Sequence, residues 1–179
     1  MFVFLITIIA LALIFDYING FHDAANSIAT IVSTKVLTPF QAVLWAASFN
    51  FIAFFIFREH KVAGTIANIM SEDIINFKVI ISATIAAISW NLLTWYYGIP
   101  SSSSHTLIGG LAGAGIAAGG LAWINTYPVL IALLFMVLAP IIGLLFGFVT
   151  TVITVNVAKK SRPAKAEKWF RRLQLLSSA

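Results

Sequence analysis

Between residues 79 and 158 the chain contains no lysine, arginine, aspartate or glutamate, and the only readily ionisable side chain in that stretch is His105. A domain folded in water needs a charged surface, whereas a membrane-spanning helix needs roughly 20 mostly apolar residues. This stretch alone therefore predicts about three crossings. The rest of the chain agrees: 60% of it is hydrophobic, 9% is charged and the mean hydropathy is +0.98. A bilayer is the solvent for such a sequence. The expected fold class is an all-α membrane protein with about five transmembrane passages, some of them broken helices.

A formal charge of +5 invites comparison with nucleic-acid-binding proteins, but its placement argues otherwise. From residue 159 onward Lys159, Lys160, Arg162, Lys165, Lys168, Arg171 and Arg172 face the single acid Glu167, which puts +6 in the tail and −1 in the rest. A basic segment directly after a hydrophobic span marks a cytoplasmic flank, so no nucleic-acid partner is expected. The chain has no cysteine, which excludes disulfides and thiolate metal sites. No metal site and no cofactor are expected. The N-terminus has no Lys or Arg ahead of its apolar run, so it reads as a retained helix rather than a cleaved signal.

Along the chain, the apolar run at residues 2–15 continues into a polar, small-residue segment, predicting a helix broken around residues 18–21 with a second piece at 23–33. A second span is expected at 39–57, an interfacial connector at 58–78 and a third span at 79–97, stopped by Gly98 and Pro100. The polar stretch 101–106 leads into a small-residue helix at about 105–121, and a long helix follows at 128–157. Gly109 with Gly113, and Gly110 with Ala114, have the spacing that permits close helix contact. Residues 1–157 thus form a transmembrane repeat and residues 158–179 a basic cytoplasmic tail or inter-repeat linker. Five passages with a cytoplasmic tail place the N-terminus outside.

Two acids, Asp16 and Asp23, lie in or beside the first hydrophobic passage. Each costs about 2.5–3.5 kcal/mol in a membrane interior, so each needs a reason to be there. In a helix Asn19, Asp23, Asn26, Ser27 and Thr30 share one face. That face reads either as polar glue between helices or as a cavity-facing ion site, since carboxylate, amide and hydroxyl oxygens suit a hard cation. His22 reads as a structural hydrogen-bonded group or as a ligand.

The second constellation runs Gly98-Ile99-Pro100-Ser101-Ser102-Ser103-Ser104-His105-Thr106, an unwound stretch entering a helix N-terminus. Free backbone N–H groups, the positive end of the helix dipole and several hydroxyls make an anion cradle without arginine; the plain alternative is a flexible, capped loop. Phosphate keeps a proton at neutral pH that it can donate to a carboxylate, so an aspartate beside the cradle favours phosphate over sulfate.

The segments Gly20-Phe21-His22-Asp23-Ala24-Ala25-Asn26-Ser27 and Pro100-Ser101-Ser102-Ser103-Ser104-His105 resemble the two signature motifs of the PiT inorganic phosphate transporters, in the form typical of low-affinity bacterial members. The resemblance implies an ion-coupled symporter of inorganic phosphate or neutral metal phosphate, driven by H+ or Na+, in a bacterial inner membrane. It implies phosphate binding by Asp23, Asn26, Ser102, Ser103 and Ser104, to which the hydroxyl at the helix start adds Thr106. The polar face of the first helix supplies the candidate coupling-ion ligands Asp23, Asn19, Asn26 and Ser27, with His22 and His105 as further candidates. The family has two inverted repeats and this chain carries one copy of each motif, so it is expected to be an N-terminal half. A second repeat or a homo-oligomer would complete the site, with lipid around it.

Two rival readings belong to other classes. An intramembrane hydrolase would use a serine of 101–104 with His105 and Asp23, but Ser104 and His105 are chain neighbours and no nucleophile elbow surrounds them. A membrane remnant or assembly subunit would carry no transport of its own.

Overall fold

The computed structural model describes residues 2–56, 61–159 and 161–178. Phe57 at the end of the expected second span, residues 58–60 of the expected connector and Lys160 of the tail lie outside the described residues. The described residues form seven α-helices: α1 (Phe2–Ser33), α2 (Pro39–Ile56), α3 (Lys61–Ala67), α4 (Phe77–Tyr96), α5 (Ser103–Gly119), α6 (Thr126–Ala158) and α7 (Pro163–Ser177). Four of them, α1, α2, α4 and α6, are long and apolar enough to cross a membrane. α5 has 17 residues, about 26 Å of helix against a hydrocarbon core of about 30 Å, so the expected five passages become four of spanning length and a shorter fifth helix.

The expected break in the first helix is absent, and α1 runs for 32 residues. It contains no proline, and a single interior glycine, Gly20, costs only about 1 kcal/mol. Breaking the helix would free backbone N–H and C=O groups in a medium with no water to receive them. The basic tail, expected only as a tail or linker, contains the 15-residue helix α7, with Pro163 in its first turn.

The chain packs as two compact units, Met1–Asp23 with Glu59–Leu133, and Ala24–Arg58 with Leu134–Ala179. In the first, α4 and α5 form an antiparallel hairpin. Asn76 caps α4, its Oδ1 accepting N–H bonds from Lys78 at 3.0 Å and Val79 at 3.1 Å. The other end closes on Gly98 at φ +64°, with Ile99 N–H donating to the Thr94 carbonyl at 2.8 Å and Gly98 N–H to that of Trp95 at 3.1 Å. This is a Schellman closure, and only glycine adopts the left-handed position without strain.

The buried stripe of α4 is Val79, Ala83, Ala87, Asn91 and Thr94. Gly110 of α5 meets this stripe: a Cβ there would stand 2.6 Å from the Ala83 carbonyl oxygen. Of the small residues singled out in the sequence, Gly110 is the one the contact requires, since a Cβ at Gly109 or Gly113 would meet nothing within 4 Å. The far end of the hairpin is stitched to the segment before α4: Ser71 N–H donates to the Trp123 carbonyl and Asn125 N–H to that of Ile69, both at 2.9 Å. α5 therefore returns to the level at which α4 began. α1 runs parallel to α4, with Phe4 stacked on Phe77 at 5.8 Å and Phe21 edge-on to Trp95 at 5.4 Å.

In the second unit, α1 ends on Lys35 at φ +56°, where Val36 N–H donates to the Ile31 carbonyl at 3.1 Å. α7 is tied to this turn and to α2, since Thr34 Oγ1 donates to Gln174 Oε1 at 3.2 Å and Trp45 Nε1 to the Leu175 carbonyl at 3.3 Å. The end of α1 and the tail after α6 thus share one side of the membrane. No residue of α6 is buried within the chain, so its apolar surface calls for lipid or another polypeptide.

The α4–α5 contact yields a test. Gly110→Ala pushes a methyl group against backbone and should lower stability by about 1–3 kcal/mol. Gly113→Ala adds a methyl in open space and should be neutral or stabilising by up to about 1 kcal/mol. Thermal unfolding midpoints of the detergent-solubilised variants compare them, and equal midpoints would contradict the assigned contact.

Candidate functional site

Four residues apart on α1, Asn19 and Asp23 lie one above the other on one face. The Phe21–Trp95 ring contact holds this turn of α1 against the end of α4, beside the loop that starts α5. Ser103, the first residue of α5 and only 5% exposed, closes the arrangement. Its hydroxyl reaches Asn19 Oδ1 and also Asp23 Oδ2, the latter at 3.1 Å. Two residues expected from different motifs, 80 positions apart, are thereby in direct contact.

That hydroxyl is over-subscribed. It carries one proton, yet it faces an amide oxygen and a carboxylate oxygen, which is acceptor-only when ionised. A proton on Asp23, a cation among the three oxygens, or an Asn19 amide turned to donate its N–H would each resolve the shortage. Beside it, the His22 imidazole is 8% exposed, and its Nδ1 lies 3.8 Å from Asp23 Oδ1, too far for a hydrogen bond, and has no hydrogen-bond partner among the described residues. Asp16 is exposed and stands outside this cluster.

The remaining hydroxyls of the second motif face elsewhere. No side chain caps the start of α5, although Ser102 occupies the capping position. The Thr106 N–H and hydroxyl both donate to the Ser102 carbonyl at 2.9 Å, and the Ser101 and Thr106 hydroxyls are 3.4 Å apart. A cavity of about 430 Å³ opens here between α4 and α5, bordered by Trp90, Ser101, Ser102, His105 and Thr106. It combines hydroxyls, an imidazole and the uncapped positive end of a helix, which is chemistry for an anion.

The expected site residues thus divide. Asn19, Asp23 and Ser103 meet; Ser102, His105 and Thr106 line the cavity. Ser104 is exposed and borders neither group. Asn26 and Ser27 are also exposed, and the Ser27 hydroxyl turns back onto the Ala24 carbonyl at 3.0 Å. Residues missed from the sequence are Trp90 and Asn91, and Ser101, read as part of the serine run, is absent from the expected phosphate ligands. Asn91 is fully buried, and neither atom of its amide has a partner among the described residues. A lone amide in an uncharged span was the signal that could have marked it.

Residues 19–179 match the Phosphate transporter family. A relative from Rhizobium meliloti (strain 1021), named probable low-affinity inorganic phosphate transporter, is 46% identical over 98% of this chain and 52% of its own length. A relative of the same name from Bacillus subtilis (strain 168) is 45% identical over 97% of this chain and 53% of its own length. The chain therefore spans about half the length of these curated relatives. A solved structure named the sodium-dependent phosphate transporter superposes with a TM-score of 0.80 at 30% identity, covering 93% of this chain and 42% of that one. These relatives are transporters rather than enzymes, which sets the hydrolase reading aside. With nine-tenths of its residues inside the match, the chain belongs to the Phosphate transporter family.

Proposed function

We propose that this chain is one repeat of an ion-coupled symporter of inorganic phosphate, with Na+ as the coupling ion. The observation that carries the reading is the convergence of Asn19, Asp23 and Ser103 oxygens beside the uncapped start of α5. An all-oxygen set with one carboxylate suits a hard cation. Likeness to a transporter named as sodium-dependent supports Na+ over H+.

In this reading the ion makes phosphate binding possible. An ionised Asp23 close to the cradle repels phosphate, and a cation held by Asn19, Asp23 and Ser103 cancels that charge. Phosphate then settles on the N–H groups of the first turn of α5 and the hydroxyls of Ser101, Ser102 and Thr106, with His105 at the rim. Ion and phosphate each raise the affinity for the other by the same factor, which is the thermodynamic content of coupling. Asn26 and Ser27, exposed on the next turn of α1, supply the wall that a second repeat or second copy completes, and His22 packs behind Asp23. Tail and Lys35 lie on the cytoplasmic side of a bacterial inner membrane, with the N-terminus outside. Residues 1–157 are the transmembrane repeat and α7 belongs to the linker.

The second reading, a non-transporting remnant or assembly subunit, is favoured by one observation: the Ser103 hydroxyl bonds Asn19 and Asp23 directly, as polar glue between helices would. Labelled phosphate uptake in cells lacking their own transporters separates the two. Uptake should appear when the chain is co-expressed with a second repeat, or with the chain alone if two copies complete the site. No uptake in either case, with the chain inserted in the membrane, supports the remnant.

In the completed transporter, Ser102→Ala should raise the phosphate KM by roughly tenfold or more, the loss of one hydrogen bond to a charged group at about 1.5–3 kcal/mol. Ser103→Ala should instead shift the sodium concentration for half-maximal uptake upward. Unaltered sodium dependence in Ser103→Ala would remove this hydroxyl from the ion site, and uptake that follows pH but not sodium would replace Na+ with H+.

A further inference from the structure

Outside the cluster on α1 and α5, the second compact unit has two adjoining cavities where α7 folds back along α6. The larger, about 450 Å³, is walled by Ile153 and Val157 of α6 and by Trp169, Phe170 and Leu173 of α7. The smaller, about 260 Å³, is bordered by Lys165, Lys168, Trp169 and Arg172. Lys165 and Trp169 border both, so an apolar groove opens directly onto a basic notch.

Sequence spacing produces this arrangement. Lys165, Lys168 and Arg172 recur at intervals of three and four and form one stripe of α7, while Trp169, Phe170, Leu173 and Leu176 form the neighbouring stripe. The only acid on the helix, Glu167, lies 3.6 Å from Arg171 and so faces a cation outside the notch. Lys165, Lys168 and Arg172 have no acidic partner among the described residues. The groove is also held open: Thr34 and Trp45 fasten the far end of α7 through Gln174 and Leu175.

We propose that this groove is a binding site for an anionic phospholipid of the leaflet in which α6 ends. The acyl chain lies between α6 and α7 against Trp169 and Leu173, and the headgroup phosphate sits in the notch of Lys165, Lys168 and Arg172. Two features choose this occupant. The apolar wall comes from the last turns of a spanning helix with no buried residue, so it faces lipid. The notch carries three cations and no acid, and an interfacial basic helix of this kind is drawn to anionic headgroups. Free phosphate would satisfy the notch but leave the groove empty.

The test uses the full chain, purified in an uncharged detergent and given equal amounts of phosphatidylglycerol and phosphatidylcholine, with bound lipids counted by native mass spectrometry. The wild type should retain phosphatidylglycerol with roughly fivefold preference or more. The triple variant Lys165→Gln, Lys168→Gln, Arg172→Gln should bind both lipids about equally, Arg172→Gln alone should fall between, and Arg171→Gln should keep the preference. Millimolar inorganic phosphate should not displace the lipid. Equal retention by the wild type, an unchanged preference in the triple variant and the single variant, or displacement by inorganic phosphate would each overturn the proposal. None of these outcomes bears on the site at Asp23.

Discussion

One hydroxyl proton, on Ser103, serves two acceptors on α1, and much of the structure is arranged to bring it there. Asp23 is a carboxylate placed where a charge costs several kcal/mol unless something answers it. No lysine or arginine pairs with it among the described residues, and α5, which does reach it, carries neither. What answers it inside the chain is a neutral hydroxyl at the positive end of a helix. That is a partial answer, and the half-exposed Asp23 carboxylate is left open to an ion from the side that Ser103 does not cover.

The hairpin geometry follows from this need. Ser103 reaches α1 because α4 and α5 pack tightly enough for Gly110 to touch the backbone at Ala83. The loop between them turns sharply because Gly98 adopts a left-handed conformation, and Phe21 on Trp95 fixes the depth of α1 against that loop. None of these contacts carries charge. They set the position of the few polar groups to within a hydrogen bond, which is how a bilayer-embedded site gains precision without ion pairs.

Most of this was legible in the sequence where one physical rule dominated. The bilayer class followed from missing charge, and α2, α4 and α6 followed from uninterrupted apolar length; their ends agree with expectation to within two residues. The pairing of the Asp23 and Ser103 segments followed from chemistry and from family resemblance. What was not legible depended on competition between rules. Polar residues around Gly20 argued for a break, and the cost of unpaired backbone in lipid prevailed. The serine run read as a single cradle, whereas helical geometry sends Ser103 toward α1 and Ser102 toward the opposite cavity, a division that depends on knowing the first residue of α5. Asn91 went unnoticed because a lone amide lacks a pattern. The helix in the tail was obscured by its charge, although Pro163 and the spacing of Lys165, Lys168 and Arg172 encode it.

The central claim is that the negative charge of Asp23 performs coupling rather than gluing helices. Asp23→Asn keeps the size and hydrogen-bonding shape, lowers the cost of insertion and removes only the charge. Labelled phosphate uptake by this variant, in a transporter completed by a second repeat and with membrane abundance measured in parallel, decides the matter. Normal insertion with a collapse of uptake to background is the expected result; normal uptake by well-expressed protein would contradict the claim.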